Sequence, residues 1–92
     1  MDLSLPSSEF EWDKHNIEHI RRHDVEPFEC EEIFFNEDFR VLPDTTHSKI
    51  EERFIAIGKT NSDRYLFVSF TLRGQKIRVI TARGMNQKER RQ

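Results

Sequence analysis

The sequence has few of the features that mark a secreted or membrane-bound protein. Its single cysteine, Cys30, cannot form an internal disulfide and has no second thiol at the spacing of a zinc site. No apolar stretch approaches the ~20 residues needed to span a bilayer. The N-terminus also lacks the basic-then-apolar order of a secretory signal. These absences predict a soluble, cytoplasmic protein that makes no contact with a membrane.

Hydrophobic residues are also scarce, at 35% of the 92 residues, but they include eight phenylalanines. Because each aromatic side chain buries a large apolar area, this composition suffices for one small core. Residues 1–9 contain Pro6, Ser7 and Ser8 and show no periodicity, which predicts a flexible lead-in. Residues 10–92 are predicted to form a single domain.

The net charge of -2 conceals a strong asymmetry between the two parts of the chain. Residues 1–52 hold 5 Lys or Arg against 15 Asp or Glu, whereas residues 53–92 hold 10 against 2. An excess of cations this large suggests an anionic partner for the C-terminal part, with nucleic acid as the first candidate. Alternatively, the two parts neutralise each other in the folded protein.

Two helices are predicted before any strand. Asp13 fits an N-cap, and Ile17 and Ile20 form a short apolar stripe in a helix that runs to about His23. Pro27 suits the first position of a second helix. The apolar residues of that helix are Phe28, Cys30, Ile33 and Phe34.

The remainder of the chain has the alternation and turns of a β-sheet. Strands are predicted at Phe39–Leu42, Arg53–Lys59, Tyr65–Arg73 and Lys76–Arg83. Gly74-Gln75 is a two-residue loop with glycine where a type II′ turn requires it. The sequence thus predicts an α+β fold with two N-terminal helices packed on one face of a small antiparallel sheet. A short helix or an irregular tail follows.

The two loops also predict which strand residues face each other. The Gly74-Gln75 turn places Leu72 opposite Ile77, Phe70 opposite Val79 and Val68 opposite Thr81. A loop at residues 60–63 places Ile57 beside Leu66 and Ile55 beside Val68. These residues form the face that the helices are predicted to cover.

The opposite face is then predicted to be open and partly charged. Its residues are Glu52, Phe54, Phe67, Ser69, Thr71, Arg73, Lys76, Arg78 and Ile80. Glu52, Thr71 and Arg78 share a row, and Arg73 and Lys76 lie one step beyond it. Such a surface can bind phosphates by charge and stack bases on aromatic rings. It is also what a solvated sheet face with cross-strand ion pairs would look like.

Several short motifs stand in the order found in BrnT-like proteins. They are Phe10-Glu11-Trp12-Asp13, Arg22-His23-Asp24-Val25, Asp44 to His47, Glu51-Glu52-Arg53-Phe54 with Gly58, Arg73-Gly74, and Ile77-Arg78 to Thr81-Ala82-Arg83. The chain therefore resembles the BrnT family over roughly residues 10–91. It departs from the family pattern at Asp24, where a glycine is usual, and at Arg22, where a lysine is frequent.

This resemblance implies a RelE-like fold and an RNA-cleaving toxin of a type II toxin-antitoxin pair that slows translation. The implied partner is a BrnA-like antitoxin with a ribbon-helix-helix part, so that operator DNA is contacted only through the antitoxin. No cofactor is implied.

Cleavage of RNA without a metal requires a base, an acid and cations that stabilise the phosphorane. Our hypothesis assigns Glu52 as the base or orienting group and His47 as the acid. Arg78 and Arg73 would stabilise the phosphate.

Further residues are candidates for contact with RNA, namely Lys76, Arg83, Arg53 and His23. Arg53 and Arg83 are predicted to lean toward the covered face, where they could instead pair with helix acids such as Glu29 or Glu32. His19 and His23 have a spacing that can bind a metal, with His15 one turn earlier. No flanking motif supports that reading, and we expect no metal site.

Two other functions remain open. A non-catalytic module could bind nucleic acid or protein through the same basic face without cleaving it. A metal-dependent hydrolase could use the helical histidines. Turnover of RNA in the presence of a chelator distinguishes the ribonuclease from both.

Overall fold

The computed structural model describes residues 9–45 and 51–90. Its elements are α1 (Lys14–Arg21), α2 (Pro27–Ile33), β1 (Arg40–Pro43), β2 (Arg53–Lys59), β3 (Tyr65–Arg73), β4 (Lys76–Gly84) and α3 (Gln87–Arg90). The strands form one antiparallel sheet in the order β1-β2-β3-β4. Helix α1 packs against β4, and α2 packs against β2 and β3. The α+β prediction is confirmed. Within the described ranges, every helix is too short or too polar to cross a membrane.

Both predicted helices form where their start signals lie. The Asp13 side chain accepts a hydrogen bond from the Asn16 backbone N–H, and the Asn16 side chain accepts one from the Asp13 backbone, which completes a capping box. Pro27 occupies the first turn of α2. Between the helices, Asp24 has a φ of 59°, in the left-handed region. That conformation favours glycine and is tolerated by aspartate.

The strand limits and the hairpin turn also agree with the sequence prediction. Arg73 pairs with Lys76 across the turn, and Gly74 has a φ of 62°. Leu72 lies opposite Ile77 and Phe70 lies opposite Val79, as predicted.

The predicted register between β2 and β3 is wrong by one residue. Lys59 pairs with Tyr65, so the loop holds five residues rather than four. Asp63 has a φ of 66°, in the left-handed region, and this conformation accommodates the extra residue in the loop. Since side chains alternate along a strand, the shift moves each side chain of β2 to the face opposite the predicted one. The residues of β2 on the covered face are Phe54, Ala56 and Gly58, whereas Arg53, Ile55 and Ile57 lie on the open face.

A β-bulge in β4 causes a second difference from the prediction. The register shifts between Ser69 and Phe70, because Ile80 is an extra residue on the facing strand. Val68 therefore lies opposite Ala82 and not opposite Thr81. Beyond the bulge, Arg83 faces Phe67 on the open side of the sheet. A regular ladder would have directed Arg83 to the covered side.

The core lies between the helices and the covered face of the sheet. Phe70 is 1% exposed and contacts Phe34 and Phe54, with ring centroids 5.3 and 5.4 Å away. Cys30 is buried in the same core. Burial, with a smaller contribution from Glu29, raises the pKa of its thiol to about 12. Cys30 is therefore a packing residue, as the sequence suggested.

Gly58 permits the close approach of α2 to the sheet, and we expect Gly58→Ala to lower the free energy of unfolding by about 1–3 kcal/mol. A Cβ at this position would lie 2.9 Å from the Cβ of Ile33 and 3.2 Å from its carbonyl oxygen, so the helix would have to move. Gly84→Ala is the matched control, because its Cβ would meet only Arg64 side-chain atoms, at 3.4 Å or more. Denaturant unfolding measures both variants. Equal stability of the two would contradict the proposed close contact.

Candidate functional site

The open face of the sheet is bounded on one side by α1, which is fixed to the outer edge of β4. Ile77 bonds through its backbone N–H to the Glu9 carbonyl and through its carbonyl to the Glu11 N–H, at 3.0 and 2.8 Å. The buried Asn16 side chain donates to the Val79 carbonyl at 3.0 Å and to that of Glu11 at 2.9 Å. These bonds cap the edge of β4 and hold α1 beside it, with Ile20 buried toward the core.

The side of α1 that faces the open sheet carries three histidines. His15, His19 and His23 are spaced by four residues, so they follow one another along the helix and its C-terminal turn. The rings of His19 and His23 are inclined at 30° to each other, with centroids 6.3 Å apart. In residues 9–45 and 51–90, no group of three or more His, Cys, Asp or Glu side chains is arranged to hold a metal ion.

Arginines from the sheet face these histidines. Thr71 in β3 pairs with Arg53 of β2 on one side and with Arg78 of β4 on the other. Thr71 is buried, and its hydroxyl donates to the Glu52 backbone carbonyl at 2.6 Å. The row predicted from the sequence as Glu52, Thr71 and Arg78 is therefore Arg53, Thr71 and Arg78. Two cations, rather than a carboxylate and a cation, flank the threonine.

Histidines and arginines together line a groove made of two adjoining parts. One part has a volume of about 430 Å³ and the other about 230 Å³, and the two share His19, Arg53 and Ile80. We call this the histidine–arginine groove. Its charged and imidazole side chains are His15, His19, His23, Asp44, Glu51, Arg53, Arg73, Arg78 and Arg83.

Carboxylates hold Arg78 in place at the groove wall. Its guanidinium lies 2.9 Å from Asp13 and 3.1 Å from Glu11. The hydrogen bond that Arg78 donates to Asp13 raises the pKa of Arg78, and the same bond lowers the pKa of Asp13. Since Asp13 also caps α1, one carboxylate joins the helix that carries the histidines to the strand that carries Arg78.

The structure brings together only some of the residues predicted for catalysis. Arg73 and Arg78 both line the groove. Glu52 is exposed and is not part of the described lining, in which its neighbour Glu51 takes part. Lys76 is exposed on the hairpin, away from that lining. His47 lies outside the described residues.

The prediction that Arg53 and Arg83 lean toward the covered face is wrong. The register shift directs Arg53 toward the groove, and the bulge directs Arg83 there. Glu29 of α2, one of the acids proposed as their partner, pairs with Arg64 instead. The Arg64 Nη1 donates to Glu29 at 3.1 Å and to the Asp24 carbonyl at 2.6 Å.

Sequence reasoning did not select His15 and His19 as site residues. Their spacing with His23 was noted only as a metal-binding pattern, yet it also places three imidazoles along one side of α1. The signal was present, but nothing in the sequence placed that side of the helix against the arginines.

Helices packed on one face of the sheet, and a groove in which the histidines of α1 meet the arginines of the open face, define a small α+β protein with a groove rich in cationic and imidazole groups. A family model described as "Ribonuclease toxin, BrnT, of type II toxin-antitoxin system" matches residues 12–89. The chain belongs to this BrnT family of ribonuclease toxins. No curated protein shows significant sequence similarity to it.

Proposed function

We propose that this protein is an endoribonuclease toxin that cleaves RNA in the histidine–arginine groove without a metal ion and so slows translation in the cytoplasm. The observation that carries the proposal is the opposition of imidazoles on α1 to guanidinium groups on the sheet, around a groove whose two parts have volumes of about 430 and 230 Å³.

The imidazole groups on the α1 side of the groove can move protons. Imidazole exists in both protonation states near neutral pH, so one histidine can accept a proton while another donates one. We assign His19, which lines both parts of the groove, as the base that takes the proton from a ribose 2′-OH. His15 or His23 would then donate a proton to the departing 5′-oxygen.

The arginines can stabilise the negative charge that develops on the oxygens of the reacting phosphate. As the 2′-oxygen bonds to phosphorus and the bond to the 5′-oxygen breaks, negative charge accumulates on the non-bridging oxygens. Arg53 and Arg78 lie on either side of Thr71, where they can donate hydrogen bonds to such a group. The products are a 2′,3′-cyclic phosphate and a 5′-hydroxyl.

This assignment replaces Glu52 as the proposed base and keeps Arg78 and Arg73 as phosphate contacts. Arg53, Arg83 and His23 are retained as RNA contacts because all three line the groove. Lys76 adds charge at the hairpin.

The proposed partner is a BrnA-like antitoxin with a ribbon-helix-helix part, through which the pair would bind operator DNA. Membership of a type II toxin family supports a protein antitoxin.

Incubation of the purified chain with end-labelled RNA and excess chelator tests the proposed activity. We expect cleavage that leaves 2′,3′-cyclic phosphate ends. Binding without cleavage would instead identify a non-catalytic module, and activity that returns only with added metal would contradict the metal-free mechanism. In cells, induction of the chain alone should arrest growth, and co-expression of the adjacent gene should restore it.

A further inference from the structure

Arg83 lies at one end of the histidine–arginine groove with its guanidinium fixed on two sides. Its plane lies over the Phe67 ring, 4.6 Å from the centroid. Its edge donates two hydrogen bonds to Glu89, from Nη1 to Oε1 at 2.9 Å and from Nη2 to Oε2 at 2.8 Å. The aromatic ring thus sets the plane of the guanidinium, and the carboxylate accepts hydrogen bonds from both of its terminal nitrogens.

Glu89 belongs to α3, a helix of four residues, none of which is buried. Asn86 and Glu89 exchange hydrogen bonds between side chain and backbone at 2.8 and 3.0 Å. Arg90 lies over the Tyr65 ring, 4.7 Å from its centroid. A depression of about 560 Å³ lies beside α3 and continues the open face beyond Phe67.

We infer that Arg83, backed by Phe67, is a binding subsite for an RNA phosphate next to the cleaved bond, and that Glu89 occupies this subsite in the free protein. The inference rests on the proposed function, since it takes RNA as the ligand of the groove. It adds that RNA must displace a side chain of the protein itself before it can use the whole groove.

The geometry of the contact supports this exchange. A carboxylate and a phosphate present two oxygens to guanidinium in the same parallel arrangement, so a site built for one accepts the other. The side chain of Arg83 is 51% exposed, which leaves room for an incoming phosphate. The bond from Arg83 lowers the pKa of Glu89 to about 2, so the carboxylate stays charged and competes at every physiological pH.

Binding of a fully 2′-O-methylated RNA oligonucleotide, which has no 2′-hydroxyl to react, tests the inference. We expect Glu89→Gln to bind it about three- to fivefold more tightly than the wild type, the gain from removing a partly exposed competing ion pair. The additional phosphate contact should also steepen the dependence of log K on log salt concentration by about 0.7.

Two further variants separate this effect from a general change of charge. Glu37→Gln removes the same charge from the lining of the depression beside α3 but does not touch Arg83, so it should leave both affinity and salt slope nearly unchanged. In an Arg83→Ala background, Glu89→Gln should give no gain. Circular dichroism checks that each variant is folded.

Equal affinity of Glu89→Gln and the wild type would overturn the inference. So would an equal gain in Glu37→Gln, or a gain that persists in the Arg83→Ala background. Cleavage of unmodified RNA is measured separately. If the wild type cleaves while Glu89→Gln binds no more tightly, only the inference fails; if the binding gain appears but no variant cleaves, only the proposed catalytic function fails.

Discussion

Replacement of His19 by alanine is expected to lower the rate of RNA cleavage by about 10²- to 10⁴-fold, the usual contribution of a general acid or base. His19 lines both parts of the groove and lies on the same helix face as the other two histidines. The effect should fall on kcat, since the lost group moves a proton and the arginines that hold the phosphate remain. Single-turnover cleavage of a labelled RNA measures it.

His19 is exposed, so its loss should not unfold α1. Glu18→Ala is the matched control, because Glu18 is the exposed neighbour on the same helix and lines neither part of the groove. It should cleave at the wild-type rate. Glu52→Gln decides between the two candidate bases. If that variant loses activity while His19→Ala retains it, the assignment of the base to His19 is wrong.

Truncation of Phe70 to alanine is expected to lower the free energy of unfolding by about 3–5 kcal/mol. Its ring lies at the centre of an aromatic cluster, between Phe34 and Phe54. Phe34 in turn contacts Phe10 and Phe39 at 5.3 and 4.9 Å, so the cavity would open in a cluster with four remaining rings. Because small domains are stable by only about 5–15 kcal/mol, the variant would lose a large part of its stability.

Thermal unfolding should show this loss as a decrease in Tm of at least about 12 °C. Phe35→Ala provides the control, since it removes the same atoms from a side chain that is 66% exposed. We expect its stability to change by no more than about 0.5 kcal/mol. A similar Tm for the two variants would show that the aromatic cluster is not the main source of stability.

Local signals were enough to predict α1, α2 and the four strands, whereas α3 was left open as a short helix or an irregular tail. Asp13 and Pro27 mark the helix starts, because the backbone groups on which they act lie within one turn of them. Gly74 marks the hairpin, because glycine readily adopts the positive φ that the turn requires. Such signals act over a few residues, so they can be seen in the sequence. The facing of β3 against the first half of β4 follows from that hairpin and was predicted correctly.

The candidate site was predicted less well because two single-residue irregularities decide it. One additional residue in the loop before β3 brings Arg53 to the open face, and one bulged residue, Ile80, brings Arg83 there. A shift of one residue moves a strand side chain to the opposite face, whereas the apolar pattern of β2, with Phe54, Ile55 and Ile57, suits either face. Sequence periodicity therefore could not fix this choice.

The amino-acid sequence by itself determined the secondary structure, the order of the elements, the excess of cations in residues 53–92 and the resemblance to BrnT proteins, because these depend on neighbouring residues or on their order. The tertiary structure alone decided which polar groups meet. It placed the histidines of α1 against the arginines of the sheet through Asn16 and the edge of β4. That contact joins residues 63 positions apart, and no local pattern encodes it.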